Sequence, residues 1–294
     1  MKKPLFSGVC TALVTPFSGN KVNYTMLSKL LERQLNNDIK AIVLAGTTGE
    51  SPTLSDQEKI ELFRYAKEFV GDSCIIIAGT GSNNTAHAVA LSKAAENSGV
   101  DALLVVTPYY NKANNDGLYA HYKAIASSVS IPIILYNVPS RTCVDIPVEV
   151  YKQLSKISNI AGVKEASTDI AKQAKIYASC GSDLAIWAGN DDHTVPSIAL
   201  GSSGVISVLS NIFPAETNRM VQAALSGNYQ EATQLQISLT EIVSLLFADV
   251  NPIPVKYALA CIGYDCGDCR LPLYPLTNDL KEKIANYFSK KMHH

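Results

Sequence analysis

Eight short apolar runs rich in β-branched residues recur along the chain, at Val9 to Val14, Ala41 to Leu44, Cys74 to Ala78, Ala102 to Val106, Ile133 to Tyr136, Ile160 to Val163, Leu184 to Ala188 and Gly204 to Val208. Such near-continuous apolarity predicts strands of a parallel sheet covered on its outer face. Segments of helical period lie between them. Ile60, Phe63, Ala66 and Val70 share one face of a helix introduced by the capping-box pattern of Ser55 and Glu58. A second helix covers Asn84 to Ser98 and ends at Gly99. Eight alternating units predict a closed (β/α)8 barrel. Beyond Ser210 the strand signals stop, and helical patterns run over Pro214 to Ser226, Tyr229 to Phe247, Pro252 to Ile262 and Asp279 to Lys290. The resulting division is a catalytic barrel over 1–225 and an all-helical C-terminal extension over 226–294 that covers the barrel or mediates assembly.

A doubly wound open sheet is the rival architecture, but the glycines do not serve it. Gly79-Thr-Gly81 lacks the third glycine of a dinucleotide fingerprint, and Gly46-Thr-Thr-Gly49 lacks the Lys-Ser/Thr of a phosphate loop. Both predict tight turns from strand to helix. With 47% hydrophobic residues, 17% charged residues and a formal net charge of -1 over 294 residues, the chain reads as a globular protein without a basic face for nucleic acid. Small metabolites are the expected partners. No stretch has the length of a membrane span. Lys2 and Lys3 resemble the start of a signal peptide, but Pro4, Ser7, Gly8, Thr11 and Pro16 break the run that should follow, so a cytoplasmic location is expected. Seven scattered cysteines are expected as reduced thiols. Cys261, Cys266 and Cys269 form the one cluster where zinc, an iron–sulfur centre or a disulfide could be proposed, and it lacks a clear fourth ligand. His293 and His294 read as a tag remnant.

In a (β/α)8 barrel the reactive side chains gather at the carboxyl ends of the strands. Lys164 stands there, closing the run Ile160 to Val163 where a loop should begin. A lysine with a pKa near ~10.4 is protonated at neutral pH, whereas a desolvated mouth destabilises the ammonium and frees a nucleophilic lone pair. Thr47 and Thr48, beside glycines at a turn entering a helix, can hold a carboxylate without a metal. Tyr136 and Tyr110 can pass protons, and Arg141 offers a planar fork for a second carboxylate. The remaining strand ends carry Gly189-Asn-Asp-Asp192 and Gly204-Val-Ile206-Ser207. Asp191 is a natural N-cap for a helix to Leu200 that Gly201 ends, although Asp191, Asp192 and His193 also admit a metal-dependent barrel hydrolase or class II aldolase. Each feature alone also fits a turn, a core aromatic or a solvated charge.

Gly46-Thr-Thr-Gly-Glu-Ser51, Tyr136-Asn-Val-Pro139 with Arg141, and Gly162-Val-Lys-Glu-Ala166 together resemble the signatures of the pyruvate-dependent class I aldolases, nearest to their dihydrodipicolinate synthase branch. The resemblance covers essentially the whole chain and implies a TIM barrel that condenses pyruvate with L-aspartate 4-semialdehyde, without metal or cofactor. By that resemblance Lys164 forms the imine with pyruvate, Tyr136 donates and accepts protons, and Thr47 links Tyr136 to Tyr110 in a proton relay. Thr48 and the backbone around Ile206 and Gly189 hold pyruvate, and Arg141 binds the carboxylate of the semialdehyde. It further implies that Tyr110 enters the neighbouring subunit's site, so that a dimer is the smallest complete unit and a dimer of dimers is expected. N-acetylneuraminate lyase and 2-keto-3-deoxy sugar-acid aldolases share the lysine and tyrosine, but Arg141 stands where a polyol substrate would favour hydroxyl-binding residues. A non-catalytic relative is disfavoured by the intact set.

In lysine-inhibited members of the branch, a regulatory pocket lies near the positions of Ser51, Asp56, Lys59, Asn83, His87 and Tyr109. Here His87 stands where a carboxylate typically receives the ligand's ammonium, and Lys59 adds a like charge. Weak or absent feedback inhibition is expected.

Overall fold

Alternation within the strands sorts the apolar residues into two layers. Residues such as Cys10, Val43, Ile77, Leu104, Ile134 and Ile206 form one buried cluster, while their chain neighbours Val9, Ile42, Ile76, Val105, Leu135 and Val205 belong to another. Side chains two residues apart share a face, so the first cluster fills a barrel and the second packs it against surrounding helices. The computed structural model describes residues 2–292, and His293 and His294, read above as a tag remnant, lie outside the described residues.

The eight strands of the barrel are β1 (Gly8–Ala12), β2 (Ala41–Leu44), β3 (Ile75–Gly79), β4 (Ala102–Val106), β5 (Ile133–Asn137), β6 (Ile160–Glu165), β7 (Ala185–Ala188) and β8 (Gly204–Ser207). Each pairs in parallel with its neighbours, and β1 pairs with both β2 and β8 to close the ring. The helices of the barrel are α1 (Tyr24–Leu35), α2 (Asp56–Val70), α3 (Thr85–Asn97), α4 (Asn115–Ala126), α5 (Val148–Leu154), α6 (Ile170–Cys180), α7 (Thr194–Ala199) and α8 (Pro214–Leu225). The expected capping box is present: the Ser55 hydroxyl accepts from the Glu58 amide (3.2 Å) and the Glu58 carboxylate accepts from the Ser55 amide (2.9 Å). Asn84 caps α3 in the same sense, accepting from the Ala86 and His87 amides.

Three expectations shift. Lys164 does not follow β6 but lies inside it, because pairing continues through Tyr136 with Lys164 and Asn137 with Glu165 on one side and Lys164 with Trp187 on the other. The predicted helix over Tyr229 to Phe247 divides into α9 (Tyr229–Ser238) and α10 (Thr240–Leu246). At the break the Thr240 hydroxyl donates to the Gln236 carbonyl (3.2 Å), which competes with the backbone ladder. Asp191 caps no helix: α7 begins at Thr194 after a short 3-10 turn over Asp191–His193, and the Asp191 side chain is used elsewhere. The last two helices, α11 (Ile253–Cys261) and α12 (Asn278–Met292), follow. Among the described residues no helix is long and apolar enough to cross a membrane.

The amino end of the barrel is plugged. The Phe6 ring stacks on Trp187 with centroids 4.7 Å apart, and the Trp187 indole donates to the Phe6 carbonyl (3.3 Å). Trp187 is wholly buried and fills the space left open by Gly162, where a Cβ would stand 2.6 Å from its ring. The carboxyl end remains open.

Candidate active site

Strand register places the candidate pair. Tyr136 and Lys164 are direct partners across β5 and β6, both facing inward, and the Lys164 ammonium sits 4.6 Å from the centre of the Tyr136 ring. Lys164 is only 5% exposed, so its amine lies in a desolvated pocket rather than among solvated surface charges. A cleft of about 490 Å³ opens above, with Thr47, Tyr136, Arg141 and Tyr109 among its lining residues.

The loop after β2 is built by close approach. The Ser51 amide donates to the Gly46 carbonyl (3.2 Å) and the Glu50 amide to the Thr47 carbonyl (3.1 Å), which closes the expected tight turn. A Cβ on neighbouring Gly79 would stand 2.2 Å from the Ala45 carbonyl oxygen, so only glycine lets the loops after β2 and β3 pack there. Thr48 is buried, and its hydroxyl oxygen accepts from the Asn251 side-chain amide (3.0 Å), from a residue 203 positions later. Glu50, buried behind the turn, pairs with Lys256 at 2.6 Å and accepts from the Arg270 amide (2.9 Å). The C-terminal extension therefore braces this loop from three positions.

After β5 the chain makes a single helical turn, Pro139–Thr142, that presents Arg141 exposed at the rim. Its base is fixed by the Thr107 hydroxyl donating to the Thr142 hydroxyl (3.0 Å). Asn137 and Glu165, the residues following Tyr136 and Lys164, lock the two strand ends together: the Asn137 amide donates to Glu165 (2.9 Å) and Asp145 (2.7 Å). Tyr151 donates to Glu165 (2.9 Å), and Lys172 pairs with Asp145. Sequence reasoning passed over Asn137 and Glu165 although they adjoin Tyr136 and Lys164. Asn251 carried no comparable local signal.

Gly189 stands opposite this lock. Its amide donates to the Glu165 carbonyl (2.7 Å), and a Cβ there would stand 2.5 Å from that of Ala166. Ile206 is fully buried inside the barrel on β8. Lys164, Tyr136, Thr47 and Arg141 thus gather at one mouth, with Thr48, Gly189 and Ile206 around it. Tyr110 does not join them: it is 90% exposed, in the left-handed region with φ 72°, and points away from its own chain.

The expected regulatory residues flank the same cleft. His87 Nε2 lies 2.8 Å from an Asp56 carboxylate oxygen, and its other ring nitrogen lies 3.1 Å from the Ser82 hydroxyl. Lys59 stands 3.8 Å from Asp56, and burial pushes its ammonium below the usual range. Ser51 and Tyr109 complete the wall, while the Asn83 carbonyl accepts from Asn111 (3.0 Å).

Asp191, Asp192 and His193 do not converge as ligands. Asp191 is buried with its carboxylate on the amides of Val208 and Leu209, whereas Asp192 is largely exposed and 4.0 Å from His193. The seven cysteines are free thiols, and burial pushes Cys266 and Cys269 up to about 12.

Residues 5–291 match the Dihydrodipicolinate synthetase family. The chain belongs to the dihydrodipicolinate synthase family. Among members of that family it is 46% identical to the 4-hydroxy-tetrahydrodipicolinate synthase of Acetivibrio thermocellus, over 98% of this chain and 99% of the relative. The structure of the 4-hydroxy-tetrahydrodipicolinate synthase of Methylacidiphilum fumariolicum superposes with a TM-score of 0.95 at 43% identity, over 98% of this chain and 96% of that one. The chloride-inhibited dihydrodipicolinate synthase of Acinetobacter baumannii, solved in complex with pyruvate, superposes with a TM-score of 0.94 at 38% identity, over 97% and 98%.

Proposed function

We propose that this protein is a lyase of the class I aldolase type that condenses pyruvate with L-aspartate 4-semialdehyde, the reaction of a 4-hydroxy-tetrahydrodipicolinate synthase. The observation that carries the reading is a buried lysine beside a tyrosine at the open mouth of the barrel, with an arginine at the rim. The neutral Lys164 amine attacks the pyruvate ketone. With uptake of one proton and loss of water, the carbinolamine becomes a cationic imine, whose positive nitrogen acidifies the methyl group. Loss of a methyl proton gives the enamine, which attacks the semialdehyde aldehyde. The substrate's own amine then closes the ring and displaces Lys164. Tyr136 moves the protons, relayed through Thr47 to Tyr110 of a second copy. Thr48 and the backbone at Gly189 and Ile206 hold the pyruvate end.

A homo-oligomer follows from this reading: the outward Tyr110 requires a second chain for its relay, and a dimer of dimers is the expected assembly. The proposed setting is the cytoplasm, in the diaminopimelate route to lysine.

Arg141→Ala tests the assignment of the second substrate. The variant should raise the KM for the semialdehyde roughly 10- to 100-fold, the worth of a charge-assisted hydrogen-bond pair, while trapping of pyruvate on the enzyme is unchanged. An unchanged KM would move Arg141 out of the site and reopen the sugar-acid aldolase reading. Lysine should inhibit weakly or not at all, because Asp56 is already paired with His87 and Lys59 repels a second ammonium. Half-inhibition below about 1 mM, a binding energy of roughly 4 kcal/mol, contradicts this.

A further inference from the structure

A hydroxyl has one proton to give and two lone pairs to receive with, so the side a neighbour occupies decides what is left for a ligand. Thr48 is buried, and its hydroxyl oxygen accepts from the Asn251 side-chain amide at 3.0 Å. Among the described residues its own proton is donated to nothing. Asn251 is 5% exposed and stands between α10 and α11. Its other polar atom, Oδ1, is buried with no hydrogen-bond partner among the described residues. An acceptor sealed away in this manner costs stability. Leucine has nearly the same shape and would avoid that cost, so the polar side chain is not called for by packing. The backbone of the turn does not need it either, since the Ser51 amide donates to the Gly46 carbonyl and Glu50 is held by Lys256 and the Arg270 amide. Asn251 reaches the turn at the Thr48 hydroxyl.

We propose that Asn251 is a positioning residue acting through Thr48: by donating to the hydroxyl it fixes the rotor and reserves the threonine's proton for the carboxylate of pyruvate. The proposal rests on the reading of Thr48 as a pyruvate-holding residue. A carboxylate only accepts, so a hydroxyl whose proton was already spent inside the protein would meet it lone pair to lone pair. With a lone pair taken by Asn251, the proton is turned away from the amide and free for the anion. The bond that Thr48 receives also polarises the bond it gives, and the acceptor's charge strengthens that second bond further. The side chain that orients Thr48 thus comes from the C-terminal extension, outside the barrel that carries Lys164 and Tyr136.

The test is a cycle of Asn251→Leu, Thr48→Val and the double variant in the full-length protein. Each is read by exchange of the pyruvate methyl hydrogens into deuterated water, which needs imine and enamine but no second substrate and separates half-saturation from maximal rate. Asn251→Leu should be as stable to denaturant as wild type, raise half-saturating pyruvate about fivefold and leave maximal exchange within about twofold. Thr48→Val should raise half-saturation by about tenfold or more. The double variant should be no worse than Thr48→Val, because Asn251 has no effect once the hydroxyl it orients is gone. Unchanged half-saturation in Asn251→Leu overturns the proposal, and so does a double variant in which the two effects multiply, since Asn251 would then act by packing. Should Asn251→Leu fail to fold, Asn251→Asp keeps the shape and takes the Thr48 proton instead of donating. Its half-saturating pyruvate should rise by about 30-fold or more, and an unmoved value rejects the proposal. Unchanged half-saturation in Thr48→Val overturns the reading of Thr48 and the proposal with it, whereas failure of wild type to form a borohydride-stable pyruvate adduct at Lys164 overturns the imine reading itself.

Discussion

Lys164→Ala should abolish the covalent capture of pyruvate and lower turnover by on the order of 10⁴-fold or more, as loss of the proposed nucleophile that starts the sequence requires. The measurement is reduction with borohydride in the presence of pyruvate followed by mass spectrometry. Wild type gains one reduced adduct, mapped to Lys164, and the variant gains none. The fold should survive, because among the described residues Lys164 forms no salt bridge and its ammonium lies over the Tyr136 ring at an open mouth, so alanine leaves a gap rather than a broken ion pair. An adduct on another lysine in wild type, or full activity in the variant, removes the basis of the proposed function.

Lys256→Ala carries the largest expected loss of stability. The Lys256 ammonium is 2.6 Å from Glu50, with side-chain exposures of 4% and 0%, and lies 4.2 Å from the centre of the Phe17 ring. Removing it strands a carboxylate that has little access to water, at a cost of about 3–5 kcal/mol. The double replacement Glu50→Gln with Lys256→Met should recover part of that loss, since no buried charge is left unpaired. Chemical denaturation of the three proteins checks both statements, and a single variant as stable as wild type contradicts them. The pair also supports the turn that carries Thr48, so the single variant should bind pyruvate less well even at temperatures where it stays folded.

The periodicity of apolar residues was enough to place all eight strands, because a strand buried on both faces leaves few polar interruptions. Strand ends were harder. Lys164 breaks the apolar run after Val163, yet pairing extends to Glu165, since a polar residue can stay in the ladder when it faces a functional cavity. Asp191 shows the opposite ambiguity: its place before a helix satisfies a local capping rule, but the amides of Val208 and Leu209 compete for the same oxygen and win. That competition is between residues far apart in the chain and has no local trace. The Asn251 contact with Thr48 is hidden for the same reason. Tyr110 was legible in the sequence as a proton-passing candidate after a strand, but only the family resemblance assigned it to a second chain's site, and within its own chain it is exposed.

Thr48, Glu50 and the turn between them obtain their supports from Asn251, Lys256 and Arg270, near the far terminus. During synthesis on the ribosome, every strand of the ring has been made well before those three residues exist. A nascent chain therefore has all eight strands of the ring before that turn can be braced, and on the proposed function the power to hold a keto acid is among the last properties the polypeptide acquires.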